Sequence, residues 1–124
     1  MNKVFIILVF SVGINATAQI ATYQTDNSGT NASAIGYQSS ATNTASTAIG
    51  NNSTASGVTS TAMGRETLAS GVSSTAMGYQ TKATNTAATA MGDNSTASGV
   101  TSTAMGDNST ASGETSIAMG FETE

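Results

Sequence analysis

The sequence contains no cysteine, histidine, proline or tryptophan, and only 8% of its 124 residues are charged. Without Cys or His, the chain has no disulfide framework, no thiolate or imidazole nucleophile and none of the usual zinc ligands. Carboxylates and hydroxyls are the reactive side chains that remain, so we predict a protein that is not an enzyme and uses no metal or other cofactor. The formal charge of -4, with Lys3, Arg65 and Lys82 as the positive side chains, argues against nucleic acid as a partner.

Residues 1–18 differ in character from the rest of the chain. Lys3 is followed by the nearly unbroken apolar run Val4 to Ile14, and Ala16-Thr17-Ala18 supplies small residues before Gln19. This order predicts a secretory signal peptide that is removed before Gln19. The alternative is a membrane anchor, but the run of about eleven residues is shorter than the ~20 that a spanning helix needs. We therefore predict an exported protein without direct membrane insertion.

Beyond Gln19 one feature organises the sequence, a glycine that recurs every fourteen residues. The glycines are Gly36, Gly50, Gly64, Gly78, Gly92, Gly106 and Gly120. Each follows an alanine and then an isoleucine or methionine, and the large residues of this column are Ile35, Ile49, Met63, Met77, Met91, Met105 and Met119. A disordered Ser/Thr-rich linker is the alternative suggested by composition alone. The fixed phase of the large residues and the lack of proline favour an ordered repeat in which every backbone N–H pairs.

Fourteen residues suffice for two strands of about five residues and two corners, which is one small coil of a β-solenoid. In Ser60-Thr61-Ala62-Met63-Gly64, the small residues Ser60, Ala62 and Gly64 alternate with the larger Thr61 and Met63. Only the small set fits inside so narrow a coil, so the Ile/Met column is predicted to form an outer stripe. An exposed apolar stripe is typical of an interface, and we predict that it joins copies of the chain.

Residues with turn propensity stand seven positions after the repeated glycines. They are Asn43, Gly57, Gly71, Asn85, Gly99 and Gly113. Glycine and asparagine enter the left-handed backbone region more easily than other residues. The spacing therefore predicts corner turns at these positions, with positive φ at the glycines.

The unit S-x-A-[IM]-G-x-x-[ST], as in Ser46–Ser53 and Ser60–Thr67, resembles the head repeat of trimeric autotransporter adhesins of the YadA type. The resemblance covers the chain from residue 19 to 124, which ends part-way through a coil. It implies a left-handed parallel β-roll, three chains packed side by side as a homotrimer, and display outside a bacterial outer membrane for attachment to matrix proteins or glycans. The family usually has an apolar residue between Ser and Ala. Here that position holds Ser33, Thr47, Thr61, Thr75, Thr89 and Thr103, and becomes apolar only at Ile117.

Several outer residues are candidates for binding. Tyr37, Tyr79 and Phe121 recur every forty-two residues, and Arg65 shares their position in another coil. Aromatic side chains can stack on glycans or on a partner protein, but the interpretation we favour is that they are exposed turn residues repeated by duplication. Asp93 and Asp107 hold the same position in adjacent coils, and we interpret them as turn residues rather than calcium ligands because the calcium-roll nonapeptide is absent.

The sequence is also compatible with two other functions. Thr59-Ser60-Thr61 and Thr101-Ser102-Thr103 are similar to the Thr-x-Thr rows of ice-binding β-solenoids, although Ala45 and Ala87 interrupt the rows. A purely structural spacer is the other alternative. We favour an exported cell-surface attachment head over both.

Overall fold

The computed structural model describes residues 24–124, and all regular elements in this range are β-strands. Seven of them have five residues each: β1 (Ser33–Tyr37), β3 (Thr47–Asn51), β5 (Thr61–Arg65), β7 (Thr75–Tyr79), β9 (Thr89–Asp93), β11 (Thr103–Asp107) and β13 (Ile117–Phe121). Six alternate with them and have two residues each: β2 (Ser40–Ala41), β4 (Thr54–Ala55), β6 (Leu68–Ala69), β8 (Lys82–Ala83), β10 (Thr96–Ala97) and β12 (Thr110–Ala111). The N-terminal segment interpreted as a signal peptide lies outside the described residues.

The long strands form one parallel sheet and the short strands form a second. Each strand pairs with the strand two elements later, so the chain alternates between the sheets as it advances. The register shift is fourteen residues throughout, as in Thr61 opposite Thr75 and Met63 opposite Met77. The predicted parallel β-solenoid with coils of fourteen residues is therefore confirmed. The second strand of each coil is shorter than the expected five residues, because the chain leaves the ladder after two.

Small side chains fill the space between the two sheets. The buried apolar residues among the described part of the chain are all alanines, for example Ala55, Ala62 and Ala69, which have no exposed surface. Serine and threonine hydroxyls such as those of Ser53, Ser60 and Thr67 are buried beside them. The core thus consists of small side chains from both sheets, and the larger Thr61 and Met63 lie outside as predicted, both partly exposed.

The predicted positive φ at Gly57, Gly71, Gly99 and Gly113 is wrong. These residues lie in or beside the turns, but their φ values are not in the left-handed region. A Cβ on Gly57 would collide with the carbonyl oxygen of Gly71 in the next coil, so close backbone approach is what glycine provides here. The left-handed residue comes two positions later, at Thr59, where φ is 55°.

Left-handed residues occur every seven positions, twice per coil, and none of this set is a glycine. They are Gln24, Asn31, Gln38, Ala45, Asn52, Thr59, Glu66, Ser73, Gln80, Ala87, Asn94, Thr101, Asn108, Thr115 and Glu122. The N–H groups of many of them bond to the preceding coil, as from Thr59 to the Thr44 carbonyl at 2.9 Å and from Glu66 to the Asn51 carbonyl at 2.9 Å. These bonds offset part of the cost of the left-handed conformation.

Candidate functional site

The outer face of the long-strand sheet carries the Ile/Met column. Its seven side chains project outward because the alanine before each one points into the coil. Parallel pairing without a register slip places neighbours opposite each other, from Ile35 and Ile49 at one end to Met105 and Met119 at the other. The column is continuous over about 30 Å at the ~4.8 Å spacing of adjacent strands. The geometry therefore provides the apolar stripe that the sequence predicts.

A column of hydroxyls runs beside this stripe on the same face. It consists of the first outward residue of each long strand, which is Ser33, Thr47, Thr61, Thr75, Thr89 or Thr103 in the first six strands. In β13 the position is occupied by Ile117, which is 69% exposed. The face is accordingly half apolar and half hydroxylated over most of its length, and fully apolar only at β13.

The last residue of each long strand forms the third outward column. Its members are Tyr37, Asn51, Arg65, Tyr79, Asp93, Asp107 and Phe121, and all of them are exposed. The column unites the four residues singled out for binding with the two aspartates. The aspartates end β9 and β11 and the three aromatic residues end β1, β7 and β13, so all are strand residues and their interpretation as turn residues is corrected.

Contacts between adjacent coils fix the side chains at the middle of this column. The Arg65 guanidinium carbon lies 5.3 Å from the centroid of the Tyr79 ring, a cation–π geometry. Arg65 Nε is 3.3 Å from Glu66 Oε1, and Gln80 Nε2 donates to Glu66 Oε2 at 2.7 Å. Two coils thereby present one connected patch of an aromatic ring, a cation and two hydrogen-bonding groups.

Asp93 and Asp107 are in-register partners on β9 and β11. The two carboxylates are flanked by Asn94 and Asn108 rather than by further acids. Within residues 24–124 no three Asp, Glu, His or Cys side chains come together in a group suited to a metal ion. Like charges on neighbouring strands repel each other, so this pair makes its end of the surface locally negative.

The Thr-x-Thr rows do not form a flat surface. Thr61 projects from β5, but Thr59 lies in the corner with positive φ, and Ser60 between them is buried. The Thr59 hydroxyl donates to the Val58 carbonyl at 2.7 Å, and Thr101 makes the same bond to Val100. One hydroxyl of each row is thus bonded to the protein's own backbone, whereas the column that contains Thr61 remains on the outer face of the long strands.

Sequence reasoning missed the second polar column beside the strand ends. It contains the left-handed residues Gln38, Asn52, Glu66, Gln80, Asn94, Asn108 and Glu122, which immediately follow the last residues of the long strands. Some of them connect adjacent coils, as in the bond from Gln38 Nε2 to Gln24 Oε1 at 3.2 Å. The recurrence of serine or threonine and alanine every seven residues, seen in Ser53-Thr54-Ala55 and Ser60-Thr61-Ala62, matches the spacing of the corners but does not indicate their left-handed conformation.

Comparison with known proteins identifies the architecture. The model of the YadA head domain repeat, which spans two copies of the repeat, matches residues 28–53, 41–67, 69–95 and 97–123. The chain belongs to this family, whose proteins are adhesins of bacterial surfaces with trimeric heads. A search of curated proteins gives no match to the chain. Among the described residues, no helix is long and apolar enough to cross a membrane.

Proposed function

We propose that this protein is a non-catalytic attachment head that is exported and acts at the bacterial surface or after release from it. The observation that carries the proposal is the variability of the strand-end column on an otherwise repetitive scaffold. Tyr37, Arg65, Tyr79 and Phe121 occupy one outward position, whereas the inward alanines earlier in the long strands do not change. A scaffold with fixed interior and changeable outer side chains is suited to binding a partner surface.

Attachment by such a surface depends on many weak contacts. The strand-end column repeats one exposed side chain per coil, so each contact buries little area and contributes little affinity. Several equivalent contacts on one rigid body bind together, because the first contact raises the effective concentration of the others. The proposed partners are extracellular matrix proteins or surface glycans, which also repeat their binding groups.

Assembly as a homotrimer through the Ile/Met column is part of the proposal. The column is apolar, continuous and on the outside of a coil whose interior is already filled by alanine. Burying it between chains removes several large side chains from water in each copy, at roughly 1.5–3 kcal/mol for each fully buried side chain. The trimer also triples the number of strand-end columns available for attachment.

Export rests on the N-terminal sequence, in which Lys3, the run Val4 to Ile14 and Ala16-Thr17-Ala18 have the order of a signal peptide. The proposed non-catalytic role is supported by the lack of Cys and His in the sequence and by the dispersed positions of the carboxylates. A catalytic site needs groups that converge on one substrate atom and exclude water from it.

The test is adhesion of protein-coated beads to arrays of matrix proteins and glycans. The variant Tyr37→Asn/Arg65→Asn/Tyr79→Asn removes the distinctive side chains while using the residue that Asn51 already places in this column. We expect bead retention to fall at least tenfold with no change in the circular dichroism spectrum. The control is Leu68→Thr/Lys82→Thr on the other sheet, where Thr54 and Thr96 hold the same position, and it should retain full adhesion.

Two results would contradict the proposal. If the strand-end variant and the control adhere equally, the strand-end column is not the attachment surface. If no array retains the coated beads and the free protein instead gives faceted ice crystals, the ice-binding alternative replaces attachment.

A Met77→Asp/Met91→Asp variant tests the trimer separately, because charges placed in the apolar stripe should give monomers by light scattering.

A further inference from the structure

The strand-end column changes its charge along the solenoid. Arg65 is the one positive side chain of the long-strand sheet in the described chain, because Lys82 belongs to the short-strand sheet. Tyr79 lies in register between Arg65 and Asp93. Asp107 follows on the next strand. The column is therefore positive before the Tyr79 ring and negative after it, and a bound anion is drawn to the Arg65 side.

Neighbouring side chains hold the Arg65 guanidinium in a defined place. Its central carbon lies over the Tyr79 ring, 5.3 Å from the centroid, and its Nε is 3.3 Å from Glu66 Oε1. Stacking uses the flat face of a guanidinium and leaves the N–H groups in its plane as donors. The Arg65 side chain is 63% exposed. Its two terminal nitrogens, on the edge away from Nε, are therefore accessible to an acceptor from solvent.

A second Tyr-Gln pair in the same column shows what is special about these coils. Gln80 Nε2 donates to Glu66 Oε2 at 2.7 Å, and Gln38 Nε2 donates in the same way to Gln24 Oε1 at 3.2 Å. The bond between adjacent coils therefore does not require an acid. What the carboxylate of Glu66 adds is a charged partner for Arg65, which fixes the guanidinium relative to the Tyr79 ring.

We propose that these two coils bind a sugar ring that carries a carboxylate, an inference that rests on the attachment role proposed above. The carboxylate accepts two parallel hydrogen bonds from the terminal nitrogens of Arg65, the pairing that a planar guanidinium favours. The sugar ring packs against the exposed part of Tyr79. Gln80 Oε1 accepts a hydrogen bond from a sugar hydroxyl, since the amide nitrogen of Gln80 is already used.

The charges around Tyr79 also set the size and direction of the ligand. Strands β5 and β9 are two strand spacings apart, about 10 Å, which one sugar with its substituents can span. Asp93 repels the ligand carboxylate from the far side of Tyr79, so the acidic group points toward Arg65. The formal charge of the whole chain is -4, so the attraction comes from this local arrangement rather than from the overall charge of the protein.

The experiment measures retention of the full-chain protein on sensor surfaces by plasmon resonance. The surfaces are polyacrylamide conjugates that carry D-glucuronic acid, D-glucose or succinate at equal density. Glucose has the same ring without the carboxylate, and succinate has the carboxylate without the ring. We expect the glucuronic acid surface to retain at least about tenfold more protein than either of the others. Arg65→Gln should abolish this preference, whereas the control Tyr37→Asn should keep it.

A second variant separates a positioned guanidinium from attraction by charge alone. Glu66→Gln removes one negative charge, so attraction by charge alone predicts stronger retention on glucuronic acid. The proposal predicts the opposite, a fall of at least about threefold, because Arg65 loses the partner that orients it. Circular dichroism verifies that each exposed-site variant keeps the fold.

Four outcomes would overturn the proposal. Equal retention on glucuronic acid and succinate would show that the sugar ring is not recognised, and equal retention on glucuronic acid and glucose would show that the carboxylate is not. Stronger retention of the Glu66→Gln variant would show that charge alone attracts the acid. If glucuronic acid retains no protein while coated beads still adhere to the matrix and glycan arrays, the acidic sugar is wrong and the attachment role stands. Loss of adhesion to every array would instead overturn the attachment role itself.

Discussion

The two halves of one coil have nearly the same sequence and different structures. Ser53–Thr59 reads S-T-A-S-G-V-T and Ser60–Glu66 reads S-T-A-M-G-R-E, so the first three residues and the glycine are shared. The first half forms the two-residue β4, whereas the second forms the five-residue β5. A seven-residue pattern in the sequence thus yields a structural unit of fourteen. The comparison shows that the fourth residue, Ser56 or Met63, is where the halves diverge.

Backbone hydrogen bonds show how the short half ends. The N–H groups of Ser56 and Gly57 both donate to the Ala69 carbonyl, at 2.9 and 3.2 Å, so the ladder stops advancing after Ala55. The turn is then closed by Ser60, whose N–H and hydroxyl both donate to the Gly57 carbonyl, at 3.2 and 2.7 Å.

The long half continues its strand instead. Met63 lies between Ile49 and Met77 in the apolar column, and the next residue, Gly64, has a φ of 132° that keeps the backbone in register with Gly78. One large apolar side chain per coil therefore gives the long-strand sheet an apolar outer face, whereas the outer face of the short-strand sheet is polar.

The largest loss of stability is expected when asparagine replaces the glycine of the long half. The same change at the glycine of the short half is the matched comparison. Gly64→Asn should lower the free energy of unfolding by more than about 3 kcal/mol, because its φ of 132° excludes a side chain and a Cβ would meet the Gly78 carbonyl oxygen. Gly99→Asn should cost less than Gly64→Asn, because the φ of Gly99 is not positive, although a Cβ there would also approach the Gly113 carbonyl oxygen. Asn43 and Asn85 already occupy its column, with Asn85 Nδ2 donating to the Ser98 carbonyl at 3.1 Å.

Urea unfolding followed by circular dichroism measures both changes. Gly99→Val is a useful third variant, because it adds a Cβ without the compensating amide and should be less stable than Gly99→Asn. Similar losses for Gly64→Asn and Gly99→Asn would mean that the glycines of the two halves serve the same purpose, contrary to the comparison.

A smaller loss of stability is expected when leucine replaces an inward residue of a short strand, and almost none when it replaces an outward residue. Ala97→Leu inserts three extra carbons where the alanine has no exposed surface, and it should destabilise the protein by about 2 kcal/mol. Thr96→Leu, one residue earlier, should change stability by less than about 0.5 kcal/mol, because Leu68 holds the same outward position in another coil. Thermal unfolding compares the two variants. Equal stability of Ala97→Leu and Thr96→Leu would indicate a wider interior than the structure has.

The architecture could be predicted from the sequence because its determinants are fixed side chains at a fixed spacing. Gly64 and Gly78, or Ala62 and Ala76, keep one phase, and the phase directly gives the parallel register. The left-handed corners could not be predicted, since residues as different as Ala45, Thr59 and Glu66 adopt them. Their conformation follows from the path of the coil rather than from their own propensity.

The candidate site was predictable to a similar extent. The alignment of Tyr37, Arg65, Tyr79 and Phe121 in one column follows from spacing alone. The contacts within it do not, because the stacking of Arg65 on Tyr79 and the bond from Gln80 to Glu66 depend on side-chain torsions that spacing leaves undetermined.

The smallest effect, and one of opposite sign, is expected at a left-handed corner. Thr101 has a φ of 55° although it is β-branched, and its hydroxyl is exposed and bonded to the adjacent Val100 carbonyl. Thr101→Asn should raise the free energy of unfolding by about 0.5–1 kcal/mol, because asparagine tolerates this conformation better than threonine. Asn94 and Asn108 already adopt it in the other half of the coil, at 53° and 57°. The bond from the N–H of residue 101 to the Thr86 carbonyl is kept in the variant.

The matched control for this change is Thr110→Asn in β12, where the backbone is extended and asparagine is a poorer strand residue than threonine. It should lower stability by up to about 0.5 kcal/mol, so the same substitution has opposite signs at two positions of the short half in successive coils. Urea unfolding at several protein concentrations separates these shifts from any change in assembly. A loss of stability in both variants would show that the hydroxyl bond of Thr101 outweighs its backbone strain, and the corners of the two halves would then be held in different ways.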